Sequence, residues 1–153
     1  MPEAGTNQVR IAGIEVQEGQ VFEMGLLRSS VEDIIDFARF VDPLPLHIDE
    51  EAAATGIFGG IVASGAQLYI EFHKRWFVPT VGGSVLCGLG IHGWNFLQPH
   101  LPERDYRGTI TVERLEPKPE KGAARLRWKY RFYDPQDQLV QELEVNVLHR
   151  LDL

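Results

Sequence analysis

The stretch Ala63-Ser64-Gly65-Ala66-Gln67-Leu68-Tyr69-Ile70-Glu71-Phe72-His73-Lys74-Arg75-Trp76-Phe77 decides the fold. Read as a helix from Ala63 or Ser64 to Phe77, its apolar positions Ala66, Leu68, Tyr69, Ile70, Phe72, Trp76 and Phe77 surround most of the circumference. Only Gln67, Glu71, Lys74 and Arg75 form a narrow polar stripe. Such a helix needs cover on most sides, because apolar surface left in water forfeits its transfer free energy. Pro79 and the Gly82-Gly83 pair are expected to end it.

Strands downstream of the helix can supply that cover. Ser84 to Gly93 and Arg107 to Leu115 read as strands, and Ala123 to Tyr133 is the clearest. There Leu126, Trp128, Tyr130 and Phe132 alternate with Arg125, Arg127, Lys129 and Arg131, which puts the charges on a solvated face. Asp134 to Gln138 is turn-like and leads into Leu139 to Arg150, where Leu143, Val145 and Val147 alternate. A long antiparallel hairpin is the expectation.

Upstream, Val21, Phe22, Met24 and Leu26 suggest a short strand. Ser30 with Asp33 resembles a capping box opening a helix to about Phe40, whose buried face is expected to use Ile34, Phe37 and Val41. Pro43 and Pro45 predict a stiff extended segment up to His47, and Asp49 to Ala54 a short acidic helix ending near Gly56. One strand, a helix apolar nearly all round and then a run of antiparallel strands is an α+β order in which the sheet curls around the helix. Several other α+β arrangements share that order.

The chain has 153 residues, 44% hydrophobic and 24% charged, which suits a single domain over residues 1–153 with Met1 to Arg10 as a loose arm. The net charge of −7 disfavours nucleic acid and anionic membrane surfaces as partners. Cys87 is the only cysteine, so neither an internal disulfide nor a multi-cysteine metal site is available. Ile57 to Ile70 is too short to span a bilayer, and the first ten residues lack the apolar core of an export signal. A cytoplasmic location is the expectation.

The segment from Phe37 to Ala52 carries Asp42, Pro45, His47, Asp49 and Ala52, and the next carries Phe58, Gly59, Ile61, Ala63 and Gly65. This constellation resembles the MaoC-like dehydratase family, which includes the R-specific enoyl-CoA hydratases. The family pattern is Asp-x-Asn-Pro-x-His, then Asp and Ala, then Phe-Gly-x-x-Ile-Ala-His-Gly. A weaker likeness continues through Gln98-Pro99-His100, at the family's Arg-Pro-Val, to Asn146. The resemblance implies a hotdog fold, with an antiparallel sheet wrapped around a long central helix. It also implies a homodimer or higher homo-oligomer, and hydration or dehydration of an acyl thioester of coenzyme A or acyl carrier protein. Asp42 would be base and acid, and His47 its partner at one water.

The chemistry agrees with that assignment. Adding water at C3 of an enoyl thioester needs a base for the water proton, an acid for C2 and a donor for charge building on the thioester oxygen. Asp42 and His47 can supply the first two, and the Gly65 backbone N–H, at the start of the buried helix, the third. No metal or redox cofactor is required. Two positions depart from the pattern: Leu44 stands for Asn, and Ser64 for His. Leu44 removes a side chain that could orient the carboxylate or the water. The Ser64 hydroxyl can cap the helix or hydrogen-bond near the site.

Other readings stay open. Glu71 on the buried helix would be the water-activating carboxylate of a hotdog thioesterase, although its spacing from Arg75 suits a surface ion pair. A non-catalytic acyl-thioester-binding role is the third reading. His73, His92, His100 and His149 lack metal-ligand spacing and read as core or surface residues, and Trp76, Trp94 and Trp128 as packing.

Overall fold

The structure, a computed structural model, describes residues 7–153. Strands β1 (Gln8–Ile11) and β2 (Ile14–Gln17) form a hairpin. Residues 7–10 are therefore not a loose arm, the Asn7 carbonyl accepting the Glu18 N–H at 2.9 Å, and residues 1–6 of the expected arm lie outside the described residues. The hairpin forms because Ala12 and Gly13 both adopt positive φ, 48° and 79°, the twist a two-residue turn requires. Ile11 and Val16 are thereby driven into the core.

The main sheet contains β3 (Val21–Arg28), β4 (Val85–Phe96), β5 (Asp105–Lys118), β6 (Ala123–Tyr133) and β7 (Leu139–Arg150). Its spatial order is β3-β5-β6-β7-β4 and every pairing is antiparallel. The alternation along β6 places Leu126, Trp128, Tyr130 and Phe132 on the inner face, all fully buried. In the outer row, two cations pair across to β7: Arg127 meets Glu144 at 3.8 Å, and Lys129 meets Glu142 and Glu144 at 3.6 and 3.5 Å.

Helices α1 (Val31–Val41), α2 (Pro45–Ile48) and α3 (Glu50–Ala54) precede the central helix, which begins as α4 (Ala66–Phe72) and ends as α5 (Val78–Val81). Pro79 does not terminate it. A single π turn, His73–Phe77, lies between α4 and α5, with the Val78 N–H donating to the His73 carbonyl. This wider turn just ahead of the proline makes room where a regular helix would clash with the ring. The central helix buries Leu68, Phe72, Phe77 and Val81 against the sheet, and Gly108 lets the Phe72 ring approach the β5 backbone. Among the described residues no helix is long and apolar enough to cross a membrane.

A second, smaller core of Ile34, Ala53, Ile61 and Ala63 lies under α1 and α3. The Ser30 capping box forms as expected: its hydroxyl accepts the Asp33 N–H, and the Asp33 carboxylate accepts the Ser30 N–H. Ile34 and Ala38 are fully buried, but Val41 is 47% exposed, because the last turn of α1 projects past this small core. The extended segment is also shorter than its prolines suggest. Leu44 is extended, and Pro45 then opens the turn of α2 from its first position, where a missing N–H costs nothing.

Candidate active site

Asp42 is the residue at which α1 stops. Its N–H donates to the Ala38 carbonyl at 2.8 Å, closing the helix. Its carbonyl accepts the Leu44 N–H at 2.8 Å, a tight turn held around Pro43. The carboxylate thus leaves a rigid backbone and is half-buried, its side chain 37% exposed.

His47 lies in α2, one turn beyond the Pro43-Leu44-Pro45 corner, and its side chain is 8% exposed. The ring Nδ1 lies 2.6 Å from the Val62 carbonyl. A carbonyl can only accept, so Nδ1 carries the hydrogen and Nε2 of the neutral ring presents a lone pair. That Nε2 is 3.5 Å from Asp42 Oδ2. Two acceptors at this spacing suit one water that donates a hydrogen to each.

Ser64 lies twenty-two positions along the chain from Asp42 and meets it directly: the hydroxyl donates to Asp42 Oδ2 at 2.8 Å. The Ser64 oxygen also accepts the Ala66 N–H at 3.3 Å, so Ser64 joins the carboxylate to the start of α4. Gly65 comes next, and no other described residue takes its N–H. A Cβ at Gly65 would lie 2.6 Å from the Phe96 ring. Its ordinary helical φ of −57° makes no demand for glycine, so this close approach alone requires it.

Asp42, His47 and Gly65 open into one cavity of about 390 Å³. Its apolar wall includes Leu46, Phe58, Val62, Phe96 and Leu97, and Gln98, His100 and Gln141 add polar groups. Asp42 is the only carboxylate in that lining. Phe96, His100 and Gln141 are cavity residues that sequence reasoning did not assign. Only the polar His100 at an otherwise apolar family position gave a signal.

Glu71 does not reach this cavity. It lines a separate depression with Arg28, Asp33, Asp36 and Gln67 on the α1 side. Nor does it pair with Arg75, whose guanidinium donates to the Leu26 carbonyl and stacks over the Phe72 ring. Leu44 is 49% exposed and outside the cavity lining. His73 bonds to the Tyr130 hydroxyl at 2.7 Å, and His149 is buried between Ser84 and Trp128. Among the described residues no group of three or more His, Cys, Asp or Glu is placed to hold a metal ion.

Comparison with known proteins identifies the family and the fold. A family model described as "MaoC like domain" matches residues 12–127. The uncharacterized protein YdeM of Bacillus subtilis is 35% identical over 101 residues, covering 65% of this chain and 72% of that protein. Among solved structures, a MaoC-like dehydratase from Rhodospirillum rubrum superposes with a TM-score of 0.76 at 24% identity, over 90% of this chain and 95% of that one. The R-hydratase PhaJ1 from Pseudomonas aeruginosa superposes with a TM-score of 0.74 at 23% identity, over 95% and 90%. Both share the hotdog arrangement of sheet and central helix.

Proposed function

The chain belongs to the MaoC-like domain family, and from that premise we propose that it is a hydratase or dehydratase interconverting 2-enoyl and 3-hydroxyacyl thioesters of coenzyme A or acyl carrier protein. One observation carries the reading. The Asp42 carboxylate and the His47 Nε2 lone pair lie 3.5 Å apart in the wall of a largely apolar cavity whose lining also includes Gly65.

In hydration, a water held by both acceptors keeps one hydrogen on His47 Nε2 and releases the other to Asp42 as its oxygen bonds to C3. The electron pair of the double bond moves toward the thioester oxygen, where the Gly65 N–H meets the developing charge. The Asp42 carboxyl then returns a proton to C2, so the net change is H and OH across the double bond. Dehydration is the same path reversed. Ser64 positions the carboxylate. The proton transfers are completed by side chains, and the reading asks for no metal or redox cofactor.

A second copy of this chain is part of the proposal. β4 is an edge strand whose Leu86, Leu89, Ile91 and Phe96 are 45 to 61% exposed, a surface that pairing along β4 would cover. Light scattering should give a dimer or larger mass, and a monomer at micromolar concentration would remove this element alone.

The function is tested by mixing trans-2-enoyl-CoA thioesters of several lengths with the protein and following loss of the conjugated absorbance, with a thiol reagent in parallel. Asp42→Asn and His47→Ala should each abolish most of the loss while the fold survives. Unchanged rates in both variants would refute the assignment. Release of free thiol would redirect it to thioester hydrolysis, for which Glu71 is out of reach of this cavity.

A further inference from the structure

His100 lines the cavity that holds Asp42 and His47, yet none of the proposed proton transfers uses it. The residue is 4% exposed, and neither ring nitrogen has a hydrogen-bond partner among the described residues. Its backbone is engaged: the His100 carbonyl accepts the Ala63 N–H at 2.9 Å. The neighbouring Val62 carbonyl takes the His47 ring N–H. The two histidines are fastened to adjacent residues of one segment, so His100 is held close to the proposed reacting centre.

Its aromatic neighbour cannot satisfy it. Tyr106 meets the imidazole edge-on, with ring centroids 4.7 Å apart, but its hydroxyl accepts the Leu101 N–H at 2.8 Å and donates to the Pro99 carbonyl at 3.4 Å. Gln141, another buried polar side chain of the lining, has its Oε1 engaged by the Trp94 indole N–H at 3.1 Å. Burial pushes the His100 pKa down to about 4, so near neutral pH the ring is uncharged, with one nitrogen a donor and the other an acceptor. A buried donor and acceptor both left unpaired are uncommon, because each has given up its water for nothing in return.

We infer that His100 is a substrate-contacting, specificity-determining residue of the acyl pocket, and that the preferred acyl chain carries an uncharged hydroxyl group to meet it. The inference rests on the acyl-thioester reading of the cavity. A hydroxyl both donates and accepts and so matches either tautomer of the ring. A plain alkyl chain would leave both nitrogens unpaired. A carboxylate would bring its own charge out of water against the apolar wall of Leu46, Phe58 and Phe96.

The test uses saturated thioesters that cannot react: butyryl-CoA against 4-hydroxybutyryl-CoA, and hexanoyl-CoA against 6-hydroxyhexanoyl-CoA. Calorimetric Kd values are measured for the wild type and for His100→Val. In at least one pair the wild type should favour the hydroxylated member by about tenfold or more, the usual direction when a pocket is built to hydrogen-bond a substrate hydroxyl. The valine variant should lose that ratio while binding the alkyl member as well or better.

A second measurement needs no variant. The imidazole nitrogen-15 resonances of His100 in the wild type should move with the hydroxylated ligand and stay in place with its alkyl partner. Equal affinity within both pairs, or a preference that survives His100→Val, overturns the inference and leaves the hydratase proposal standing. No binding by any of the four overturns the acyl-thioester reading itself, and this inference with it.

Discussion

Acidification from pH 7 toward pH 4 should destabilise this protein through His149. His149 is fully buried, and its ring is held from both sides: Trp128 donates its indole N–H to Nε2 at 3.0 Å, and Nδ1 lies 2.7 Å from the Ser84 hydroxyl. Since Trp128 can only donate, Nε2 must be unprotonated and Nδ1 carries the hydrogen. Ser84 accepts it and passes its own hydrogen to the Val81 carbonyl at 2.9 Å, tying the end of the central helix to β6 and β7. Protonating Nε2 would set two N–H groups against each other and place a charge in the core. Burial accordingly pushes the His149 pKa down from 6.5 to about 4.

In that interval the unfolded chain binds a proton that the folded chain refuses, so falling pH favours unfolding. The contribution is fully present above pH 6.5 and is lost as the pH approaches the folded value near 4. Integrating the linkage relation between those two values gives a loss of about 2 kcal/mol from pH 7 to pH 5, growing to about 3 kcal/mol by pH 4. Urea unfolding at several pH values, followed by tryptophan fluorescence, measures it. The comparison protein is His149→Gln, whose amide can accept from Trp128 and donate to Ser84 without titrating. The fall in stability between pH 7 and pH 5 should be smaller in the variant by about 2 kcal/mol, and contributions common to both proteins, His100 included, cancel. Identical slopes would refute the reasoning.

Three other substitutions probe the site. Ser64→Ala removes the donor to Asp42 and should lower the enoyl hydration rate about 10- to 100-fold at unchanged melting temperature, with Ser64→Thr restoring most of it. Gly65→Ala drives a methyl against the far end of the Phe96 side chain, which must shift to receive it. The expected result is a raised KM for enoyl thioesters with only a small change in urea midpoint. Leu44→Asn supplies α2 with the N-cap side chain it lacks, and calorimetry should show a gain of about 1 kcal/mol.

The parts of the fold legible in the sequence are those governed by short-range sterics and by alternation. The bounds of β6 and β7 could be read directly, because one residue in two faces the core along both. The Ser30 capping box was legible for a similar reason, since donor and acceptor lie three residues apart, whereas Asp49, read as the first residue of its helix, instead caps it through the Glu51 and Ala52 N–H groups. The hairpin at Ala12-Gly13 escaped because its four-residue strands are too short to show a period, and the passage through Pro79 because a π turn leaves no mark in composition.

At the site the division is similar. Asp42 and His47 could be proposed together because both fall on the family motif Asp-x-Asn-Pro-x-His. Their tautomer and most of their support were not legible: Val62, Phe96 and His100 reach the site only through tertiary packing, and Ser64, expected to cap the helix or hydrogen-bond near the site, is the donor to Asp42. Local sequence therefore determined which backbone conformations each segment prefers and which chemistry the motif can offer. The tertiary structure decided which nitrogen of His47 faces Asp42, what a side chain at Gly65 would meet and which histidine was left unpaired in the cavity wall. Those outcomes depend on distances between segments far apart in the chain, and only packing sets such distances.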